Sequence, residues 1–339
     1  MDNYKPPYEM NDKIINIVSE VMEKIGAVNY AINSNKNTMP ELRKKSMINS
    51  IHSSLAIENN PLSIDQVTNV INGNMVIGKA KDIQEVKNAY KAYELINKIN
   101  PYNEEDLKKI QGIMTELIET DNGKYRNHGE AVYDGDIQIF MAPSHTLVPE
   151  LMYNLFNWLN EEKDNINPLI LSSVFHYEFV FIHPFSDGNG RTARFWQSAI
   201  LSHWKDIFEY IPIETMIKRN QDDYYKVIDI CNKNGNSTKF IEFMLNIINT
   251  TIDETLKLQE DVGINDGTND GTNFACLNET QIKIYEQIKQ NPKISFKKIA
   301  ENLGISEKTV ERASKILQKN GYIERINSNQ KNGYWKIMK

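Results

Sequence analysis

The sequence predicts a mainly α protein: a helical bundle interrupted by one β-hairpin, followed by a small C-terminal winged helix-turn-helix domain. Three observations predict it. Apolar residues recur at helical spacing through the stretch from Asp12 to Leu256. β-leaning runs cluster around two tight-turn dipeptides, Asp134-Gly135 and Asn332-Gly333. Between these hairpins the composition breaks at residues 265–273, an Asn-Asp-Gly-Thr repeat without any apolar residue to bury.

Bulk properties bound the function. A chain of 339 residues can hold two or three domains with sizeable cores. A net charge of -6 with 25% charged residues excludes a basic nucleic-acid coat and a disordered acidic tail. Met1 to Lys13 is polar and contains Pro6-Pro7, unlike a signal peptide, and no apolar run approaches the roughly 18 residues of a membrane span. Cys231 and Cys276 lack Cys-x-x-Cys spacing, so neither a zinc site nor a disulfide framework is expected. A cytoplasmic protein without membrane contact is the resulting expectation.

Taken in order, Ile14, Ile17, Val18, Val21 and Ile25 mark a helix over 12–25, and a second covers 40–57. Pro61 then disfavours continuation, while Ser63 and Gln66 form a capping box for the next helix. Glu58 and Asn59 therefore sit at a helix C-terminus, where a carboxylate opposes the dipole. Either a cation elsewhere in the fold meets Glu58, or it is a solvated side chain at a fraying end. Residues 66–98 read as two helices separated around Gly73 and Gly78, with Asp82 to Glu85 an exposed helix start carrying no chemistry. A helix over 104–119 closes at Asp121-Asn122-Gly123. The hairpin follows, with Ala131 to Tyr133 and Ile137 to Met141 as its arms. Helices over 149–159 and 168–182 come next, and His176 and Glu178 on the latter are expected to make structural hydrogen bonds.

The stretch from His183 to Arg194 joins that apolar helix to another, over 192–204. Gly188 and Gly190 flank Asn189 at the start of the second helix, where unpaired amides and the helix dipole make a seat for phosphate. Arg191 and Arg194 share a face near that positive end, an unfavourable arrangement unless polyanion charge offsets it. His183, with an ordinary pKa of about 6.5, can accept a proton at neutral pH. Asp187 is the lone carboxylate of the loop, enough for a hydrated divalent cation on a polyphosphate. Phe185 is expected to pin the loop to the core.

This stretch resembles the signature of Fic-domain enzymes, His-x-Phe-x-Asp/Glu-Gly-Asn-Gly-Arg-x-x-Arg, at every defined position. The resemblance implies a Fic-type helical bundle and the transfer of AMP from ATP to a hydroxyl of a target protein, self-modification included. It implies His183 as the base, Asp187 as the Mg²⁺ ligand, Asn189 and the Gly188 and Gly190 amides on the α-phosphate region, Arg191 on the phosphates and Arg194 on the γ-phosphate. Ser54-x-x-x-Glu58-Asn59 is similar to the inhibitory motif of these proteins, in which the glutamate pairs with the second signature arginine, here Arg194. An Arg194 so held cannot bind the γ-phosphate. The hairpin and the residues after it, 133–143, resemble the flap that covers nucleotide and clamps the target; a plain surface hairpin is the alternative. Tyr225 and Asn232, on a helix opened by Asn220, are the best matches to adenine-pocket residues, although a tyrosine on a helix is also an ordinary core residue.

A helix over 240–256 ends the catalytic part, and the acidic repeat after it lacks the bidentate Glu of a calcium loop. Residues 277–339 carry 13 Lys or Arg against 6 Asp or Glu, a surplus of +7 that leaves -13 for the rest. Helices over 296–303 and 307–320, with Gly321 ending the second, precede the hairpin that makes the wing. The positive balance suits a phosphate backbone, but Glu307 and Glu311 on the recognition helix repel it, so DNA contact and protein docking both stay open. The expected organisation is an N-terminal helical region over 1–105, a catalytic domain over 106–256, a linker over 257–276 and the winged helix over 277–339. Three functions remain in view: a self-inhibited adenylyltransferase, a DNA-binding regulator that senses nucleotide, and an enzyme that removes AMP. A homodimer is left open.

Overall fold

A computed structural model describes residues 4–34, 39–134, 137–263, 279–319, 322–326 and 334–338. They form two compact units, Met1–Glu260 and Asp261–Lys339.

In the first unit, α1 (Asp12–Ser34), α2 (Met39–Ile57), α3 (Ile64–Ile71), α4 (Ala80–Tyr93) and α5 (Glu104–Met114) precede the strands β1 (Ala131–Asp134) and β2 (Ile137–Met141). Six helices follow: α6 (Val148–Glu162), α7 (Pro168–Ile182), α8 (Asn189–Trp204), α9 (Ile213–Arg219), α10 (Gln221–Asn234) and α11 (Thr238–Gly263). Helix α7 is central because its sequence leaves it no polar face. Leu169, Leu171, Val174, Phe175 and Phe179 are fully buried, and Ser173 satisfies itself on the Leu169 carbonyl at 2.7 Å. Its start is local: Pro168 lies in the first turn and the Asn167 side chain accepts the Leu169 amide. Phe156 of α6 meets Phe175 edge-on at 5.5 Å, and Trp196 of α8 packs beside it while donating to the Pro101 carbonyl. Each such buried aromatic contributes about 1.5–3 kcal/mol.

The capping box of Ser63 and Gln66 forms at the start of α3. Several bounds differ from expectation. Helix α1 runs past Gly26 because Val28 continues the apolar spacing and is fully buried. Helix α5 stops at Met114 instead of Glu119, because Asn88 of α4 donates to the Met114 and Glu116 carbonyls and Leu117 turns to φ 62°. Helix α8 begins at Asn189, three residues early, right after Gly188 at φ 80°. Helix α11 enters the stretch expected to be linker, as far as Gly263; the Asn-Asp-Gly-Thr repeat and Cys276 lie outside the described residues. No gap in packing falls at residue 105: core residues from Ile14 to Ile252 form one cluster, since α2 and α4 need the apolar faces of α8 and α9.

Strands β1 and β2 pair antiparallel, Ala131 with Met141 and Asp134 with Ile137, with an irregular register between Val132 and Tyr133. Residues 135–136 of their turn lie outside the described residues. Among the described residues, no helix is long and apolar enough to cross a membrane.

The second unit holds α12 (Glu279–Gln290), α13 (Phe296–Leu303), α14 (Glu307–Lys319) and the strands β3 (Ile323–Ile326) and β4 (Tyr334–Ile337). Ser295 caps α13 through the Lys298 amide, and Gly304 ends it at φ 65°, the turn of the helix-turn-helix. Trp335 of the wing stacks on Phe296 at 5.7 Å, and the Arg325 guanidinium lies over the Trp335 ring at 4.8 Å. Gly321 and the Asn332-Gly333 turn lie outside the described residues.

Candidate active site

The site is the joint between α7 and α8, and the sequence builds it locally. Helix α7 ends at His183, which takes φ 51°, a left-handed conformation costly for a residue with a Cβ. The loop is then closed by Asn189, whose side chain accepts the Phe185 amide at 2.9 Å and donates to the Phe185 carbonyl at 2.7 Å. Phe185 is fully buried, as expected. Gly188 needs its positive φ, and a Cβ there would also press Thr115 at 3.1 Å.

Side chains from outside the signature hold the loop from below. Gln111 of α5 donates to the Asp187 carbonyl and accepts the Gly123 amide, and Asp121 accepts from the Ser186 hydroxyl. Arg126 is the main clamp. Its guanidinium donates to the carbonyls of His183 at 2.7 Å, His128 at 2.8 Å, Pro143 at 2.6 Å and Ile182 at 3.3 Å. One buried cation thus ties the end of α7 to both ends of the β1–β2 hairpin. Sequence reasoning passed over Arg126, because nothing local distinguishes it from a surface arginine. Gln111 did leave a signal, a polar residue on the apolar face between Leu107, Ile110 and Met114.

The electrostatics follow from burial. His183 is half-buried, and desolvation, only partly opposed by the Val180 carbonyl, holds its pKa below the ordinary 6.5. The ring is therefore neutral near pH 7. Burial alone would push the Asp187 carboxyl up, but the Arg191 guanidinium at 2.8 Å and the Gly188 amide outweigh it and keep Asp187 ionised. Burial likewise opposes charge on Arg194, yet Glu58 more than offsets it and raises its pKa.

The structure brings Arg194 and the end of α2 together. Arg194 Nη2 donates to Glu58 Oε1 at 2.7 Å and to the Ser54 carbonyl at 3.0 Å, and its Nε donates to the Ser54 hydroxyl at 3.0 Å. Glu58 is thus met by a cation, the first of the two readings of its position. Gly190 makes room for it: a Cβ at that residue would lie 2.5 Å from Glu58 Oε1. Asn59 supplies the turn, at φ 64°. Tyr225 is partly exposed beside this pair, edge-on to Tyr224 at 5.3 Å, and its hydroxyl feels both Glu58 and Arg194. Asn232 is half-buried, and its side-chain carbonyl accepts the Tyr177 hydroxyl at 2.9 Å.

The expectation that Asp82 to Glu85 is an exposed helix start needs correction. These residues are only part-exposed, and Glu85 Oε1 lies 3.7 Å from Arg191 Nη1 while its Oε2 accepts from Asn60 at 2.8 Å. The tertiary fold turns this face of α4 onto the signature, which the local composition does not reveal. His176 and Glu178 behave as expected: His176 bonds Gln197 and Tyr224, and Glu178 accepts the Tyr4 hydroxyl at 2.6 Å. Among the described residues, no group of three or more His, Cys, Asp or Glu gathers as a metal cage. A hydrated Mg²⁺ held by one carboxylate beside a polyphosphate needs no such cage, and the ionised, one-third exposed Asp187 fits that role.

Comparison with known proteins agrees with this geometry. A model of the Fic/DOC family matches residues 99–201, and one described as winged helix-turn-helix DNA-binding matches 277–324. A crystal structure of a Fic family protein from Desulfovibrio desulfuricans G20 is 33% identical, covers 98% of both chains and superposes with a TM-score of 0.71. A Fic domain containing signaling protein from Bacteroides thetaiotaomicron shares the fold at 20% identity and a TM-score of 0.60, over 71% of this chain and 97% of its own. A protein adenylyltransferase Fic of Drosophila mojavensis is 25% identical over 70% of this chain, and that of Culex quinquefasciatus 27% over 62%. The chain spans under half the length of these two relatives, 46% and 42%. With the signature loop built as described and the Desulfovibrio structure matched over 98% of both chains, the chain belongs to the Fic/DOC family and carries a C-terminal winged helix-turn-helix domain.

Proposed function

We propose that the protein is a self-inhibited adenylyltransferase that moves AMP from ATP to a Ser, Thr or Tyr hydroxyl of a target protein, with self-modification as one outcome. The supporting observation is Arg194, a guanidinium with a 1% exposed side chain at the anion seat, whose donors are spent on Glu58 and Ser54.

The target hydroxyl oxygen attacks the α-phosphorus of ATP, the bond to the bridging oxygen breaks, and pyrophosphate leaves with the bonding electrons. His183, neutral through burial, takes the hydroxyl proton. The amides at the start of α8 and the Arg191 guanidinium offset the charge of the phosphates. Asp187 would hold Mg²⁺, which when bound would supply further charge compensation for the leaving group. Asn189 and Arg126 keep the loop in shape, so their part is positioning. Glu58 restrains the reaction by occupying Arg194, and the conformation with Glu58 in place is also compatible with AMP removal.

Incubation with Mg²⁺ and α-labelled ATP tests this. Label is expected on protein, rising in Glu58→Gly and absent in His183→Ala; no label in any variant would sink the proposal. DNA contact by the second unit is a separate reading, favoured by its family match and by Lys315, which offsets Glu311 at 2.8 Å on the recognition helix. Duplex binding whose affinity falls steeply with salt would support it.

A further inference from the structure

The Glu58–Arg194 contact leaves unexplained why the turn carrying Glu58 stays closed, since α2 ends there and Glu58 itself is 37% exposed. Two residues beyond it, Asn60 is buried and spends its whole side chain on fixing that turn. Its Nδ2 donates to Glu85 Oε2 at 2.8 Å and to the Asp82 carbonyl at 3.1 Å, and its Oδ1 accepts the Leu62 amide at 3.2 Å. The other oxygen of Glu85 faces Arg191 at 3.7 Å.

Arg191 is the second half of the observation. Its side chain is 6% exposed, yet among the described residues Nε and Nη1 have no hydrogen-bond partner. Arg191 borders a cavity of about 10 Å³, the scale of a single water, walled also by Ser54, Leu55, Glu85, Ala89, Tyr93 and Met114. The end of α2 and the start of α4 therefore meet both signature arginines through two carboxylates: Glu58 on Arg194 directly, and Glu85 on Arg191 by charge. Asn60 is the link between the two.

Resting on the adenylyltransferase reading above, we propose that Asn60 and Glu85 form a latch for the inhibitory turn: positioning residues that act through Glu58 and hold it on Arg194. While Glu85 is drawn to Arg191, Asn60 is held, and with it the turn. Anything that draws Arg191 toward phosphate weakens the pull on Glu85 and loosens Glu58. Binding at one arginine thereby favours release of the other.

The latch makes a pattern of variants predictable. Asn60→Ala removes the tether while leaving Glu58 and Arg194 in place, and transfer from α-labelled ATP should rise about tenfold, the factor expected for a lost charge-assisted hydrogen bond. Glu85→Ala should do the same, and the double variant should add little, because both cut one link. Glu85→Gln keeps an acceptor for Asn60 but not the charge that Arg191 draws on, so its transfer should lie between wild type and Glu85→Ala. In the Glu58→Gly background Asn60→Ala should have no effect, since nothing remains to be held. Where Glu58→Gly transfers label, an Asn60→Ala that fails to raise transfer in the Glu58 background, or raises it equally in Glu58→Gly, overturns the latch.

Amide hydrogen exchange over residues 56–62 provides a readout independent of the chemistry. It should speed up in Asn60→Ala and Glu85→Ala and by less in Glu85→Gln. Unchanged exchange in the first two overturns the latch whatever the activity. Absence of label in Glu58→Gly with the expected exchange pattern would instead remove the proposed function and leave the latch standing.

Discussion

Replacing Glu58 with glycine removes the carboxylate that meets Arg194 and leaves the arginine's two bonds to Ser54. A hydrogen bond between charged groups is worth about 1.5–3 kcal/mol, but Glu58 is 37% exposed, and solvent screening reduces this to about 1–2 kcal/mol. That difference converts to roughly a 5- to 30-fold larger share of molecules with Arg194 free, and the same factor is expected in single-turnover AMP transfer. The folded protein loses the same about 1–2 kcal/mol, which should lower Tm by roughly 2–8 °C for a unit of this size. ATP then reverses the sign. With no carboxylate competing for the guanidinium, saturating ATP should raise Tm more in the variant than in the wild type. Equal transfer rates together with equal ATP-induced shifts would refute the argument that this ion pair holds the enzyme back.

Further consequences can be checked separately. Because burial lowers the His183 pKa, the base is charged only in acid, so transfer should rise with pH along a limb whose midpoint lies below 6.5 and then level off. A profile with no acid limb would remove His183 from the role. Replacing Arg126 by Met leaves four carbonyls without their common donor; urea unfolding should show a loss of about 2–4 kcal/mol, with faster proteolysis between residues 128 and 143. Unchanged proteolysis would show that the hairpin does not depend on the clamp. Glu178 is raised by burial to about 7, with one oxygen unpartnered among the described residues, so its proton is bound more tightly folded than unfolded. Its stabilising contribution is full below about pH 4.5 and is lost as pH rises through 7. Glu178→Gln should therefore be more stable than wild type by up to about 3 kcal/mol at pH 8, with no advantage at pH 4. A difference independent of pH would place the charge of Glu178 elsewhere.

The elements that the chain specifies locally are those whose ends carry their own chemistry. Asn167 with Pro168 starts α7, Ser63 with Gln66 starts α3, and Ser295 and Gly304 bound α13, each through bonds spanning only a few residues. The signature loop is of the same kind, since Asn189 closes it onto Phe185 four residues away and Gly188 supplies the positive φ. Its spacing was therefore legible, and so was the proximity of Glu58 to Arg194, though the latter only through resemblance. Tertiary structure alone decided the rest. Helix α5 ends where Asn88, 26 residues earlier in the chain, takes its carbonyls. Arg126 acquires its role from carbonyls up to 57 residues away, and Glu85 from a turn and an arginine that approach it only when α2, α4 and α8 pack together. A cap or a tight turn satisfies backbone groups next to it in the chain, so residue type and spacing reveal it. A clamp between distant segments satisfies groups that become neighbours only on folding, and one sequence carries no mark of which polar residue will meet them.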